Sequence, residues 1–239
     1  MREVCNNGAV HIPDGFFDAA TSLAAGALAV GAVAISLRRA RAELAEATAP
    51  LAGLVAVFVF AGQMINFPIA AGTSGHLLGA ALAAILVGPA TAVLAMTVVL
   101  TVQALVFADG GITALGLNLL NMAVIAPLAA YIVFRGLGRV LPRTRAWALL
   151  SAFAAGWASV VAAALAFSVE FAIGGTTAVD AATVTTAMVA VHAAIGVVEG
   201  AITALVVGSV AALRPDLVYG LSGRTEPPLP VTEPMPAQA

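Results

Sequence analysis

The chain has 239 residues, of which 62% are hydrophobic and 9% charged; its mean hydropathy is +1.05 and its formal net charge −2. A soluble domain carries roughly 25% charged residues, so this is the composition of a polytopic membrane protein. It excludes a cytoplasmic enzyme, a secreted disulfide domain and a nucleic-acid binder. All ten basic residues are Arg, and the single Cys, Cys5, cannot close an internal disulfide.

The first apolar run, Ala19 to Leu37, is followed at once by Arg38, Arg39 and Arg41. A signal peptide carries its basic residues before the apolar run, so this segment is predicted to be a retained first helix. Glu43 and Glu46 continue a charged loop, and Pro50 opens a second helix running to about Pro68. A short Gly-rich stretch, Ala71 to Gly75, follows. The next apolar piece, His76 to Ala108, spans 33 residues. That is about 50 Å as helix, against a hydrocarbon core of about 30 Å. Gly88-Pro89 divides it. After Asp109-Gly110-Gly111 come a span from about Thr113 to Phe134 and an Arg-rich loop. Two further spans follow, Trp147 to Phe171 and Thr183 to Leu213. The segment 214–239 holds six Pro and reads as a disordered cytoplasmic tail.

Charge decides how the long piece is counted. With a turn at Gly88-Pro89, nine of the ten Arg fall on one side of the membrane, as the positive-inside rule requires. With one kinked helix they do not. The prediction is therefore an all-α integral membrane protein of about seven spans, N-terminus outside and C-terminus cytoplasmic. No internal repeat is evident. Small residues four apart in the first span (Ala25 and Ala29, Ala27 and Gly31) permit close helix packing, within this chain or on a partner.

This topology gathers His11, Asp14, Asp18, the Gly72-Thr73-Ser74-Gly75-His76 turn, Asp109, Glu170 and Asp180 near the outer surface. Two of the chain's three histidines, His11 and His76, are among them. Imidazole is a common ligand for first-row metals, so the set suits capture of a divalent cation; interfacial side chains or helix caps would leave the same pattern. His192 and Glu199 share a face of the last span, seven residues apart. They are either functional intramembrane groups or a buried pair that holds the bundle through Asn118, Asn121 or Gln63. Gly196 and Gly200 beside them predict a close helix contact. No ATPase, zinc-protease or serine-hydrolase motif is present.

Several segments together carry a family resemblance. They are Val10-His11-Ile12-Pro13-Asp14-Gly15-Phe16, Gln63 to Pro68 and Gly72 to Gly79, then Gln103 to Gly116, Asn118 to Ala123 and His192 to Thr203. The chain resembles the CbiM/NikM family over most of residues 10–213. These are the substrate-specific membrane subunits of energy-coupling-factor importers for cobalt and nickel. The resemblance implies a non-catalytic transporter subunit in a prokaryotic plasma membrane. It would capture Co2+ or Ni2+ as substrate at the outer face, with no permanently bound cofactor. Cobalamin biosynthesis is one destination of the metal. The implied partners are a membrane coupling subunit, two cytoplasmic ATPases and a small accessory membrane subunit. A metal-binding scaffold or sensor without transport is the alternative class, and a vitamin-specific subunit of the same importer type is a third.

The family pattern maps metal ligands onto His11 and His76, together with a free amine next to His11. That amine, the following amide and the imidazole would form fused chelate rings, with His76 completing four nitrogens. Such planar nitrogen sites suit Ni(II) or Cu(II). Asp14, Asp109, Ser74 and Asn66 would organise the loops around the ion. Residues Met1 to Ala9 depart from the pattern, and Val10 stands where the family has Met. The reading expects the working chain to begin at Val10, through a GTG start codon, which would supply the amine; a genuine extension is the rival. Intact-mass measurement on protein made from the native gene tests this. The expected chain lacks MREVCNNGA, and a mature chain that keeps it and still binds Ni(II) tightly would defeat the amine chelate.

Overall fold

A computed structural model describes residues 11–43, 49–68, 74–142 and 144–221. It is mostly helical. In chain order come α1 (Ala19–Glu43), α2 (Ala49–Gln63), β1 (Asn66–Pro68), β2 (Ser74–His76), α3 (Ala80–Val87), α4 (Pro89–Val106), α5 (Leu115–Val140), α6 (Arg145–Gly174) and α7 (Ala181–Leu213). Among the described residues five helices, α1 and α4 to α7, are long and apolar enough to cross a membrane. The apolar side chains that would be a liability in water, such as Leu23, Val30, Leu54, Ile132 and Leu205, point outward as a lipid-facing surface.

At one place the chain departs from helix. The chain between α2 and α3 forms a two-stranded antiparallel hairpin with Asn66 opposite His76. His76 therefore ends a strand rather than opening a helix, and α3 begins four residues later. All eight residues of α3 are buried against α2, α4, α5, α6 and α7, so this short helix is the hub of the bundle. The chain breaks at Gly88, whose φ of +94° suits glycine. Pro89 then occupies the first turn of α4, where its missing N–H costs nothing. The carboxylate of Glu43 caps that turn: it accepts from Ala90 N (3.0 Å), Thr91 N (2.7 Å) and Thr91 Oγ1 (3.0 Å).

Within α5 the turns from Leu119 to Ile125 are π-helical. Pro127 stands two residues beyond; its ring crowds the carbonyl four residues back and removes a donor, and the wider turn accommodates both. At the mouth of α5, a Cβ on Gly116 would lie 2.5 Å from Gly26 Cα, so α1 and α5 touch backbone to backbone. Ala25 and Ala29 face the same interior and are buried. Their close packing is thus satisfied inside this chain, whereas Ala27 and Gly31 lie on the exposed face of α1. α6 and α7 cross just as tightly at Gly156 and Gly200.

The loops collect at two ends. At one, Gly111 N donates to Ile12 O, Asp18 N to Gly174 O and Thr176 N to Phe16 O. Phe16, Phe17, Phe167 and Phe171 seal this end with ring centroids 5.6–6.2 Å apart. At the other end lie Glu43, the Gly88 break and the Arg-bearing ends of α1, α5 and α6. There Arg135 donates to Gly220 O at 3.3 Å. The segment after α7 begins as two short 3-10 turns, Pro215–Leu217 and Tyr219–Leu221, packed on the bundle with Val218 fully buried.

Candidate metal-binding site

The site lies at the end sealed by the phenylalanines and is assembled from segments far apart in sequence. The N-terminal segment is held by polar contacts that substitute for secondary structure. Asn118, at the start of α5, treats Ile12 as a strand partner: its Oδ1 accepts from Ile12 N (3.2 Å) and its Nδ2 donates to Ile12 O (3.3 Å). Asp14 accepts from Thr113 N (2.7 Å) and Thr113 Oγ1 (2.6 Å). These bonds pull the Asp14 carboxyl below its usual range even though it is exposed. Gly110 and Gly111 let the strands of this knot approach. A Cβ on Gly110 would lie 2.9 Å from His11 Cβ, and one on Gly111 would fall on Asp14 N.

The result is a buried His11 beside His76, with ring centroids 4.9 Å apart and planes at 89°. His11 Nδ1 donates to Asp109 O at 3.1 Å, with Asp109 Oδ2 at 3.6 Å. His76 Nδ1 donates to Leu77 O at 2.8 Å. These bonds fix the tautomer of both rings and leave each Nε2 as the lone-pair nitrogen. Among the described residues His11 Nε2 finds no hydrogen-bond partner although it is buried. A buried polar atom without a partner costs free energy, and an ion would relieve that cost.

Burial favours the neutral imidazole in both rings. It lowers the pKa of His11, partly offset by the Asp109 charge and carbonyl. It lowers that of His76 to about 3, reinforced by the neighbouring His11 and His192 and partly offset by the Leu77 carbonyl. Neutral imidazole is the form that ligates. Among the described residues no group of three or more His, Cys, Asp or Glu side chains is placed to hold an ion. Two imidazoles therefore need further ligands, such as main-chain nitrogen or water.

The other expected residues separate into distinct roles. Asp109 and Asn118 belong to the His11 knot, and Asp14 stands one layer out. Asn66 and Ser74 enter through the hairpin backbone; their expected side-chain roles, like Val10, lie outside the described residues. His192 and Glu199 are not a pair. His192 Nδ1 donates to Met188 O in its own helix (2.8 Å), and Glu199 accepts from the backbone of Leu78 and Gly79. Asn121 turns away to Glu170, donating from Nδ2 to Oε2 at 2.6 Å. The sequence reading missed Thr113 as the partner of Asp14. It also missed the target of Gln63, whose Nε2 donates to Leu78 O at 2.8 Å.

A helical bundle with a lipid-facing surface and two apposed imidazoles at one end defines a multi-pass membrane protein with a candidate metal site. Residues 11–217 match the CbiM family, described as the cobalt uptake substrate-specific transmembrane region, and the chain belongs to it. A chain named for metal transport in Haloquadratum walsbyi is 46% identical over 213 residues, covering 88% of this chain and 94% of that one. A chain named as a fused nickel transport protein, NikMN, in Archaeoglobus fulgidus is 43% identical over 209 residues, covering 87% of this chain and 68% of that one. A truncated transition metal transporter of known crystal structure superposes with a TM-score of 0.76 at 33% identity, covering 84% of this chain and 98% of that one. The protein is a prokaryotic membrane component of cobalt or nickel transport.

The lowered His76 pKa has a consequence for the metal-free protein. Between about pH 3 and 6.5 the unfolded chain holds a proton on this residue that the folded chain does not. Stability therefore falls as pH drops through that window, by at most about 1.4 kcal/mol per unit for one group. Thermal unfolding in detergent should show a lower midpoint at pH 5 than at pH 7 and a smaller difference for His76→Ala. An equal difference in both would show that His76 does not resist protonation.

Proposed function

We propose that this chain is the ion-capturing subunit of an ATP-driven energy-coupling-factor importer and takes Ni2+ or Co2+ at the extracytoplasmic face. The observation that carries the reading is the apposition of His11 and His76, with the buried His11 Nε2 left without a partner among the described residues. The substrate class is supported by cobalt in the family description, by nickel in the name of the Archaeoglobus relative and by the similarity to a solved transition metal transporter. ATP hydrolysis then falls to two cytoplasmic ATPase subunits. A membrane coupling subunit and a small accessory subunit complete the assembly, and delivery to cobalamin biosynthesis is one use of the cargo. The exposed Ala27–Gly31 face of α1 is available for such contacts, while Ala25 and Ala29 are already used.

A free amine next to His11 would add two main-chain nitrogens and complete a planar site. The chelate ring through the His11 amide closes at Nδ1, which here donates to Asp109 O. Forming it would require the imidazole to turn over about its Cβ–Cγ bond. In the test, cells carrying the chain with its coupling subunit and ATPases accumulate radioactive nickel or cobalt, and His76→Ala reduces accumulation at least about tenfold. Uptake that is unchanged in His76→Ala, or that persists without the ATPases, contradicts the reading.

We place the His11 end outside and the Arg-bearing end in the cytoplasm, with α2 and the α3–α4 pair completing seven spans. All seven described Arg residues lie at or near the second end and none at the first, which supports this orientation. With Cys5 replaced by Ser, Ile112→Cys, exposed in the loop beside the histidines, should react with an impermeant thiol reagent from outside, and Val140→Cys only after the membrane is opened. Labelling of both from the same side would overturn the arrangement.

A further inference from the structure

His76 ends a strand, and α3 begins at Ala80. Of the three residues between them only Gly79 makes a helical hydrogen bond, its carbonyl accepting from Ala83 N at 3.0 Å; the remaining buried backbone must find other partners. The Leu78 peptide is held at both polar ends. Its N–H donates to Glu199 Oε2 at 2.9 Å, and its carbonyl accepts from Gln63 Nε2 at 2.8 Å. The next N–H, of Gly79, donates to Glu199 Oε1 at 2.7 Å. Glu199 is 3% exposed and lies 121 residues along the chain from Leu78. Gly79 has φ +74°, and a Cβ there would lie 2.7 Å from Val59 Cγ2, so the turn fits only this residue. The clamp has a firm base, because Glu199 precedes Gly200 and a Cβ on Gly156 of α6 would lie 2.7 Å from Gly200 Cα.

From this geometry we infer that Glu199 is a positioning residue for the ion: it fixes the Leu78–Gly79 backbone and thereby holds His76 against His11. Glu199 does not touch the metal. Its two oxygens accept two parallel N–H groups, which an amide cannot do, since the NH2 of Gln would face one donor with another. The inference rests on His76 being a ligand, so the experiment separates the two claims.

The full-length protein in detergent is titrated with nickel chloride, following heat and visible absorption of the bound ion. The variants are Glu199→Gln, Gln63→Ala, His76→Ala and the double variant Glu199→Gln/His76→Ala. Glu199→Gln is expected to weaken binding about tenfold or more and to shift the absorption toward that of His76→Ala. In the His76→Ala background it should add less than about a twofold loss, since it acts through His76. Gln63→Ala, which removes one of the three bonds, should show the same change to a smaller extent.

Unchanged nickel affinity and absorption in Glu199→Gln overturn the inference, as does an equal loss in both backgrounds. If Glu199→Gln does not accumulate, Gln63→Ala and Glu199→Asp carry the test, and unchanged affinity in both refutes it. Equal binding by wild type and His76→Ala would instead remove the site reading on which the inference stands.

Discussion

Extended backbone inside an apolar bundle must have its N–H and C=O groups satisfied by side chains, because neither lipid nor helix will do it. That constraint shapes the proposed ion site of this protein. Two stretches leave helical geometry where they enter the bundle, the N-terminal segment at His11–Asp14 and the connection from His76 to α3. Each is met by side chains that read its backbone: Asn118 binds Ile12, and Glu199 with Gln63 binds Leu78 and Gly79, while Asp14 ties the first stretch to the backbone of Thr113. The histidines are adjacent because these polar side chains hold their backbones adjacent. Apolar packing alone, which has no direction, would not fix two rings at 4.9 Å.

The same economy appears at the opposite end. Gly88 and Pro89 interrupt the chain where two helices meet, and the Glu43 carboxylate caps the one that follows. A single acidic residue thus ties α1 to the start of α4. Between the two ends the bundle is held by close contacts of small residues, Gly26 with Gly116 and Gly156 with Gly200. In lipid, where apolar side chains gain little by meeting each other, backbone approach of this kind is a main source of helix association. The short α3 is buried along its whole length, and the His76 segment leads directly into it.

Much of this was legible in the sequence. Apolar runs and Arg placement gave the helices to within a few residues at many ends, and scarcity of histidine singled out His11 and His76. The break at Gly88-Pro89 followed from residue type. What escaped was long-range polar pairing. Nothing in local spacing indicates that Glu199 binds a peptide 121 residues away, and helical periodicity suggested His192 as its neighbour instead. The hairpin was missed because three-residue strands have no periodicity to detect. Small-residue spacing in α1 could not say which pair is packed or against what: Ala25 and Ala29 lie in this chain's own interior, whereas Ala27 and Gly31 are exposed.

The central claim is that one ion is held jointly by His11 and His76. Anomalous diffraction at the nickel absorption edge, from crystals of the nickel-loaded protein, locates the ion directly. The account predicts a single peak between the two rings, about 2 Å from an imidazole nitrogen of each, the length of a typical metal–imidazole bond. A peak bound by carboxylates elsewhere on the surface, or one bonded to His11 with His76 out of reach, would contradict it.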